Sequence, residues 1–147
     1  MTHRIDSHQH FWQVGRGDYG WLNQADHPAI CRDFLPADLA PLLDRHGVDK
    51  TILVQAAPTV AETEFLLGVA ARTPFVAGVV GWADLTAPNA AEQVARLARH
   101  DNLVGLRPML QDIEDTAWIL LPAAQPALAA MARHGLRFDA LLKPRHL

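Results

Sequence analysis

The chain holds one cysteine, Cys31, so an internal disulfide is excluded and a reducing, cytoplasmic setting is expected. Cys31 itself reads as a small, partly buried apolar residue rather than a nucleophile. A basic excess is also missing. The formal net charge is −3 with 20% charged residues, which leaves no electrostatic footprint for nucleic acid. Long apolar runs are absent too. Charge, proline or glycine interrupts every stretch well short of the ~18 residues that a membrane span needs. The opening Met-Thr-His-Arg-Ile-Asp has no apolar core of a secretory leader, so no signal peptide is expected. No Gly-X-Gly-X-X-Gly follows the first apolar segment, which argues against a dinucleotide fold.

What is present is enough for one packed domain: 147 residues, half of them hydrophobic. The pattern alternates strand and helix. Strands are expected at Arg4 to His8, Thr51 to Ala56, Phe75 to Gly81, Leu103 to Leu106 and Leu136 to Leu142. Helices are expected from Pro36 to His46, stopped by Gly47, and from a Thr59–Glu62 capping box to Arg72. Two more follow, from Asn89 or Ala90 to about His100 and from about Pro126 to His134, stopped by Gly135. Alternation of this kind implies a parallel sheet with right-handed crossovers. The fold class is therefore α/β: a partial (β/α)₈ TIM barrel of about five parallel strands with intervening helices. A complete barrel takes about 250 residues and eight strands.

The most informative stretch is Asp6-Ser7-His8-Gln9-His10-Phe11-Trp12. Strand side chains alternate faces, so His8 and His10 point the same way. Two imidazoles one pleat apart make half of a divalent-metal site, and the C-terminal ends of barrel strands are where chemistry collects. The bland alternative is a pair of polar residues closing a strand. Two imidazoles do not complete a tetrahedral site, so metal binding by this chain alone is expected to be weak or absent.

Several segments together resemble the L-fuconolactonase-like branch of the amidohydrolase superfamily. They are Ile-Asp-Ser-His-Gln-His-Phe-Trp (5–12), Asp-Tyr-Gly-Trp-Leu (18–22), Arg-Asp-Phe-Leu-Pro-Ala-Asp-Leu (32–39) and Leu-Val-Gln-Ala-Ala-Pro-Thr-Val-Ala-Glu-Thr (53–63). Gly-Val-Val-Gly-Trp-Ala-Asp-Leu (78–85), Val-Gly-Leu-Arg-Pro (104–108) and Leu-Arg-Phe-Asp (136–139) continue the likeness along essentially the whole chain. The resemblance implies a metal-dependent (β/α)₈ hydrolase of sugar lactones and related cyclic esters, with zinc the foremost metal. It also implies that residues 1–147 correspond to the N-terminal half of such a domain. A later strand-end His and a general-base Asp belong to the other half, so no catalytic base is expected in this chain. Some relatives are thought to work without a tightly held metal, and His8 and His10 would then serve the substrate carbonyl.

Arg107 ends the fourth strand and is expected to offer its planar fork to a substrate carboxylate or hydroxyl. Its bland alternative is a surface ion pair. Gln55, ending the second strand, is expected to bind a sugar hydroxyl, and Trp82, ending the third, to offer a sugar ring an apolar face, with rim packing as the alternative. Trp12, Tyr19 and Trp21 read equally as a binding lid or as loop packing. Asp6 reads as a partner that orients an imidazole or as a core hydrogen-bonding group. His3, His27, His46, His100, His134 and His146 read as structural or surface groups, and Asp139 and Lys143 as marginal approaches to the site.

The expected partner is thus a small lactone, with no nucleic acid and no membrane. The competing expectation is a non-catalytic half-barrel that self-associates, or pairs with another subunit, through exposed strand edges. A nuclease-type relative opening with His-X-His is a weaker third, disfavoured by Phe11-Trp12 and the acidic charge.

Overall fold

The computed structural model describes residues 4–147, so the expectation for His3 lies outside the described residues. Five strands, β1 (Ile5–Gln9), β2 (Lys50–Val54), β3 (Val76–Gly81), β4 (Leu103–Leu106) and β5 (Arg137–Phe138), form one sheet in chain order. Every neighbouring pair is parallel. Four helices, α1 (Pro36–His46), α2 (Val60–Ala70), α3 (Ala90–Leu97) and α4 (Gln125–Arg133), lie in the connections. Sequential parallel strands joined through helices make this a half-barrel, the partial TIM barrel that the pattern implies.

The core sits between the strands and the helices. Leu53, Val79 and Leu106 pack with Leu66 of α2, Val94 and Leu97 of α3, and Ala130 of α4, all without exposed surface. Burying each leucine is worth roughly 1.5–3 kcal/mol. Gly47 and Gly135 end α1 and α4 at φ 60° and φ 68°, a backbone region that suits glycine. At Gly81 the constraint is space. A Cβ there would stand 2.4 Å from Thr63 Cγ2 and 3.0 Å from its Oγ1, so α2 is seated directly on β3. Among the described residues no helix is long and apolar enough to cross a membrane.

Three details differ from the sequence pattern. The fifth strand covers two residues rather than seven, paired through Gly105↔Arg137 and Leu106↔Phe138. Pro108 has no N–H to extend β4, and beyond Phe138 the chain curls, its Leu141 carbonyl accepting from Gln111 N at 3.1 Å. The capping box is half formed. Thr59 Oγ1 accepts from Glu62 N at 3.0 Å, but the Glu62 carboxylate turns to the backbone of Ala56 and Ala57 instead of Thr59. The edge strands are also polar: β1 carries Asp6, Ser7, His8 and Gln9, and β5 carries Arg137. Fully buried residues occur only in the inner strands β2, β3 and β4.

Candidate active site at the strand ends

The ends of β1, β2 and β4 bring His8, His10, Gln55 and Arg107 together. The Nε2 atoms of His8 and His10 are 3.1 Å apart, and Arg107 Nη1 stands 3.3 Å from His8 Nε2. His10 Nδ1 donates to the Val54 carbonyl at 2.8 Å, which fixes its tautomer and leaves an Nε2 lone pair facing His8. Burial is the main cause that holds the His10 imidazole below its ordinary value. The charge of Arg107 and the neighbouring His8 add to this, against the Val54 carbonyl. His10 is accordingly neutral near pH 7, the form that accepts a proton or binds a metal.

Arg107 is 6% exposed, a cation at the floor of the site. Burial pulls its guanidinium below the usual arginine range, opposed by the negative charges of Asp139 and Glu62. Its Nη2 donates to the Gln55 carbonyl, and Gln55 Nε2 returns a bond to the Arg107 carbonyl at 3.0 Å. Gln55 has no exposed surface. Its Nε2 is turned to the Arg107 carbonyl, while its Oε1 is buried with no hydrogen-bond partner among the described residues.

A cleft of about 430 Å³ opens beside these residues, lined by His10, Trp12, Trp21, Arg107, Met109 and Asp112 among others. Trp82 lies outside it. Half-buried, it lines an adjoining apolar recess of about 340 Å³ with Trp118, and Met109 and Asp112 border both spaces. The long first loop proves to be both packing and wall. Trp12 and Tyr19 are buried with Leu22, Ala56 and Ala57, while Trp21 stays 38% exposed and donates its indole N–H to the Ala56 carbonyl at 2.8 Å. Asp6 orients no imidazole: its Oδ1 accepts from the backbone N–H of His8 at 3.1 Å.

Sequence reasoning passed over Met109 and Asp112, whose only signal is their place just after Arg107-Pro108. It read Glu62 solely as a capping residue, although a carboxylate three residues into an apolar helix with no exposed surface needs partners.

The histidine pair fits two positions on one divalent ion. Metal–nitrogen bonds of 2.0–2.1 Å in a tetrahedron place ligand nitrogens about 3.3 Å apart, close to the observed spacing. The His10 Nδ1–H held by a carbonyl is the usual support of a ligating imidazole. No group of three His, Cys, Asp or Glu able to hold a metal occurs among the described residues.

Polar side chains gathered at the C-terminal ends of parallel strands stand where (β/α)₈ barrels carry their active sites. The amidohydrolase family model matches residues 5–146, and the chain belongs to that family. It is 54% identical, over all 147 residues, to an L-fucono-1,5-lactonase of Burkholderia ambifaria, covering 50% of that protein. To an L-fucono-1,5-lactonase of Burkholderia multivorans it is 46% identical over 112 residues, 76% of this chain and 37% of the other. A crystal structure of a Burkholderia multivorans amidohydrolase with bound zinc superposes with a TM-score of 0.86 at 39% identity, over 96% of this chain and 49% of that one. The chain thus spans about half the length of the relatives it matches.

Proposed function

We propose that this chain supplies the N-terminal half of the active site of a hydrolase acting on sugar lactones, L-fucono-1,5-lactone foremost. The observation that carries the reading is the meeting of His8 Nε2, His10 Nε2 and Arg107 Nη1 beside one cleft. Its support is 54% identity along the whole chain to the L-fucono-1,5-lactonase of Burkholderia ambifaria.

In lactone hydrolysis water adds to the ring carbonyl, and the ring C–O bond then breaks to give a carboxylate and a hydroxyl. The carbonyl oxygen becomes an anion during the addition. Arg107, buried and fixed through Gln55, is the cation beside which that charge is stabilised. With no ion bound, His10, neutral and anchored on Val54, accepts a hydrogen bond at Nε2 from the attacking water and orients it; a bound ion would take that lone pair instead. The Trp21 ring walls the cleft and limits the access of bulk water. His8 and His10 are the residues that would hold a divalent ion, zinc by analogy with the relative's structure. When bound, such an ion polarises a carbonyl and lowers the pKa of water. The remaining donors and the general-base Asp would come from the other half of the barrel.

The test is a chimera in which these 147 residues replace their counterpart in the Burkholderia ambifaria lactonase. Hydrolysis of L-fucono-1,5-lactone by the chimera, and none by the chain alone, is expected. A folded chimera that opens no sugar lactone overturns the reading.

A second reading, a half-barrel that self-associates, is favoured by the open outer edges of β1 and β5 among the described residues. The exposed Ile5 in the first of these strands adds to it. Sedimentation separates the two: a monomeric chain removes the second.

A further inference from the structure

Glu62 lies in the first turn of α2, has no exposed surface, and its carboxylate hydrogen bonds go to backbone rather than to His8, His10 or Arg107. Its Oε1 and Oε2 accept from Ala56 N at 2.9 and 3.2 Å, and Oε2 also accepts from Ala57 N at 3.0 Å. On the opposite side of the same two peptide units, the Gln55 carbonyl accepts from Arg107 Nη2 and the Ala56 carbonyl from the Trp21 indole. A trans peptide is planar, with N–H and C=O pointing in opposite directions. Fixing the N–H therefore aims the carbonyl. Each peptide dipole has its positive end on the carboxylate, and the 55–56 dipole has its negative end on a guanidinium. A capping role does not account for this, because Thr59 N donates to Ala57 O and leaves the Glu62 carboxylate to the turn.

We infer that Glu62 is a positioning residue for the cleft, setting where Arg107 and Trp21 stand through two successive peptide units. The inference rests on the reading of that cleft as a site, but its test uses no lactone. Glu62→Gln keeps the shape and replaces one acceptor oxygen by a donor. At pH 8, where Glu62 is ionised, amide exchange at Ala56 and Ala57 should be about tenfold faster or more in the variant chain, the loss expected for a bond to a charged acceptor. The nuclear resonances of the Trp21 indole N–H and the Arg107 guanidinium should move with it. Leu66→Ala, a core change in the same helix, supplies the comparison: it speeds exchange generally and leaves those two resonances in place.

A folded E62Q chain with wild-type Trp21 and Arg107 resonances overturns the inference. If E62Q does not fold, Trp21→Phe answers from the other end. Removing the indole donor should speed exchange at Ala57, which shares its peptide unit, and spare Ala56. Equal effects at both, or at neither, contradict the two-peptide arrangement. Should these results hold while no lactone is hydrolysed, the positioning role stands and the functional reading fails.

Discussion

Gln55 and Arg107 hold one another reciprocally, the side chain of each donating to the backbone carbonyl of the other across the end of β3. The same two residues join the sheet, with Gln55 N on Val80 O and Arg107 N on Gly81 O, each at 2.8 Å. Arg107 is therefore a fixed cation rather than a mobile surface arginine, which is what stabilising a developing charge requires. Gln55→Leu should leave the buried Arg107 carbonyl short of a donor. Urea unfolding of the chain should show a loss of about 1–3 kcal/mol. In the chimera kcat should fall, because Arg107 loses the side chain that holds its backbone. Unchanged stability and unchanged kcat would contradict the reciprocal pairing.

His10 titrates below its ordinary value of 6.5 because it is buried beside Arg107. The sign follows from linkage. A depressed folded value means the folded chain binds the proton less well than the unfolded one. The stability due to neutral His10 is then complete above pH 6.5 and is lost as pH falls through the lower folded value. Following the His10 ring proton signal against pH should give a midpoint under 6.5, and an ordinary midpoint would count against the buried site.

Glu62 acts in the opposite direction. Burial pushes its carboxyl up from 4.5 to about 7, restrained by the N–H groups of Ala56 and Ala57. The folded chain then keeps the proton that the unfolded chain has released, so stability is greatest below pH 4.5 and declines until pH passes about 7. The loss amounts to about 3 kcal/mol. Comparing E62Q with the parent by urea unfolding at pH 5 and pH 8 should show the parent losing that much relative to the variant. Parallel profiles would contradict the raised value.

Thr63 ties the start of α2 to the end of β3. Its Oγ1 accepts from Trp82 N at 2.7 Å and donates to Trp82 O at 2.8 Å, while its Cγ2 fills the space beside Gly81. Gly81→Ala should cost roughly 1–3 kcal/mol through overpacking. Thr63→Ser removes Cγ2 and keeps the hydroxyl, so it should recover part of that loss. A double-mutant cycle should give a coupling of about 1 kcal/mol, whereas strict additivity would mean the contact is relieved elsewhere.

The fold was legible because its signals are local. Apolar runs such as Thr51 to Val54, and the stops at Gly47 and Gly135, act within a few residues of themselves. The strand-end positions of His8, His10 and Arg107 followed from the same alternation. What escaped depends on contacts distant in sequence. Nothing near Gln55 shows that its amide meets a carbonyl 52 residues away. The Thr59–Glu62 spacing matches a capping box whether the carboxylate turns back to Thr59 or across to Ala56, and only the packed turn decides. The length of β5 likewise depends on how far β4 extends beside it, which Pro108 limits.

His8 and His10 are this chain's proposed contribution to a hydrolytic site, and His10→Asn in the chimera puts that to the test. The measurement is kcat/KM for L-fucono-1,5-lactone, with the parent chimera as reference and folding verified by circular dichroism. A loss of at least about 100-fold is predicted, the scale on which a positioned imidazole contributes to catalysis. A folded His10→Asn chimera that hydrolyses the lactone at the parent rate would mean that His10 takes no part in the hydrolysis.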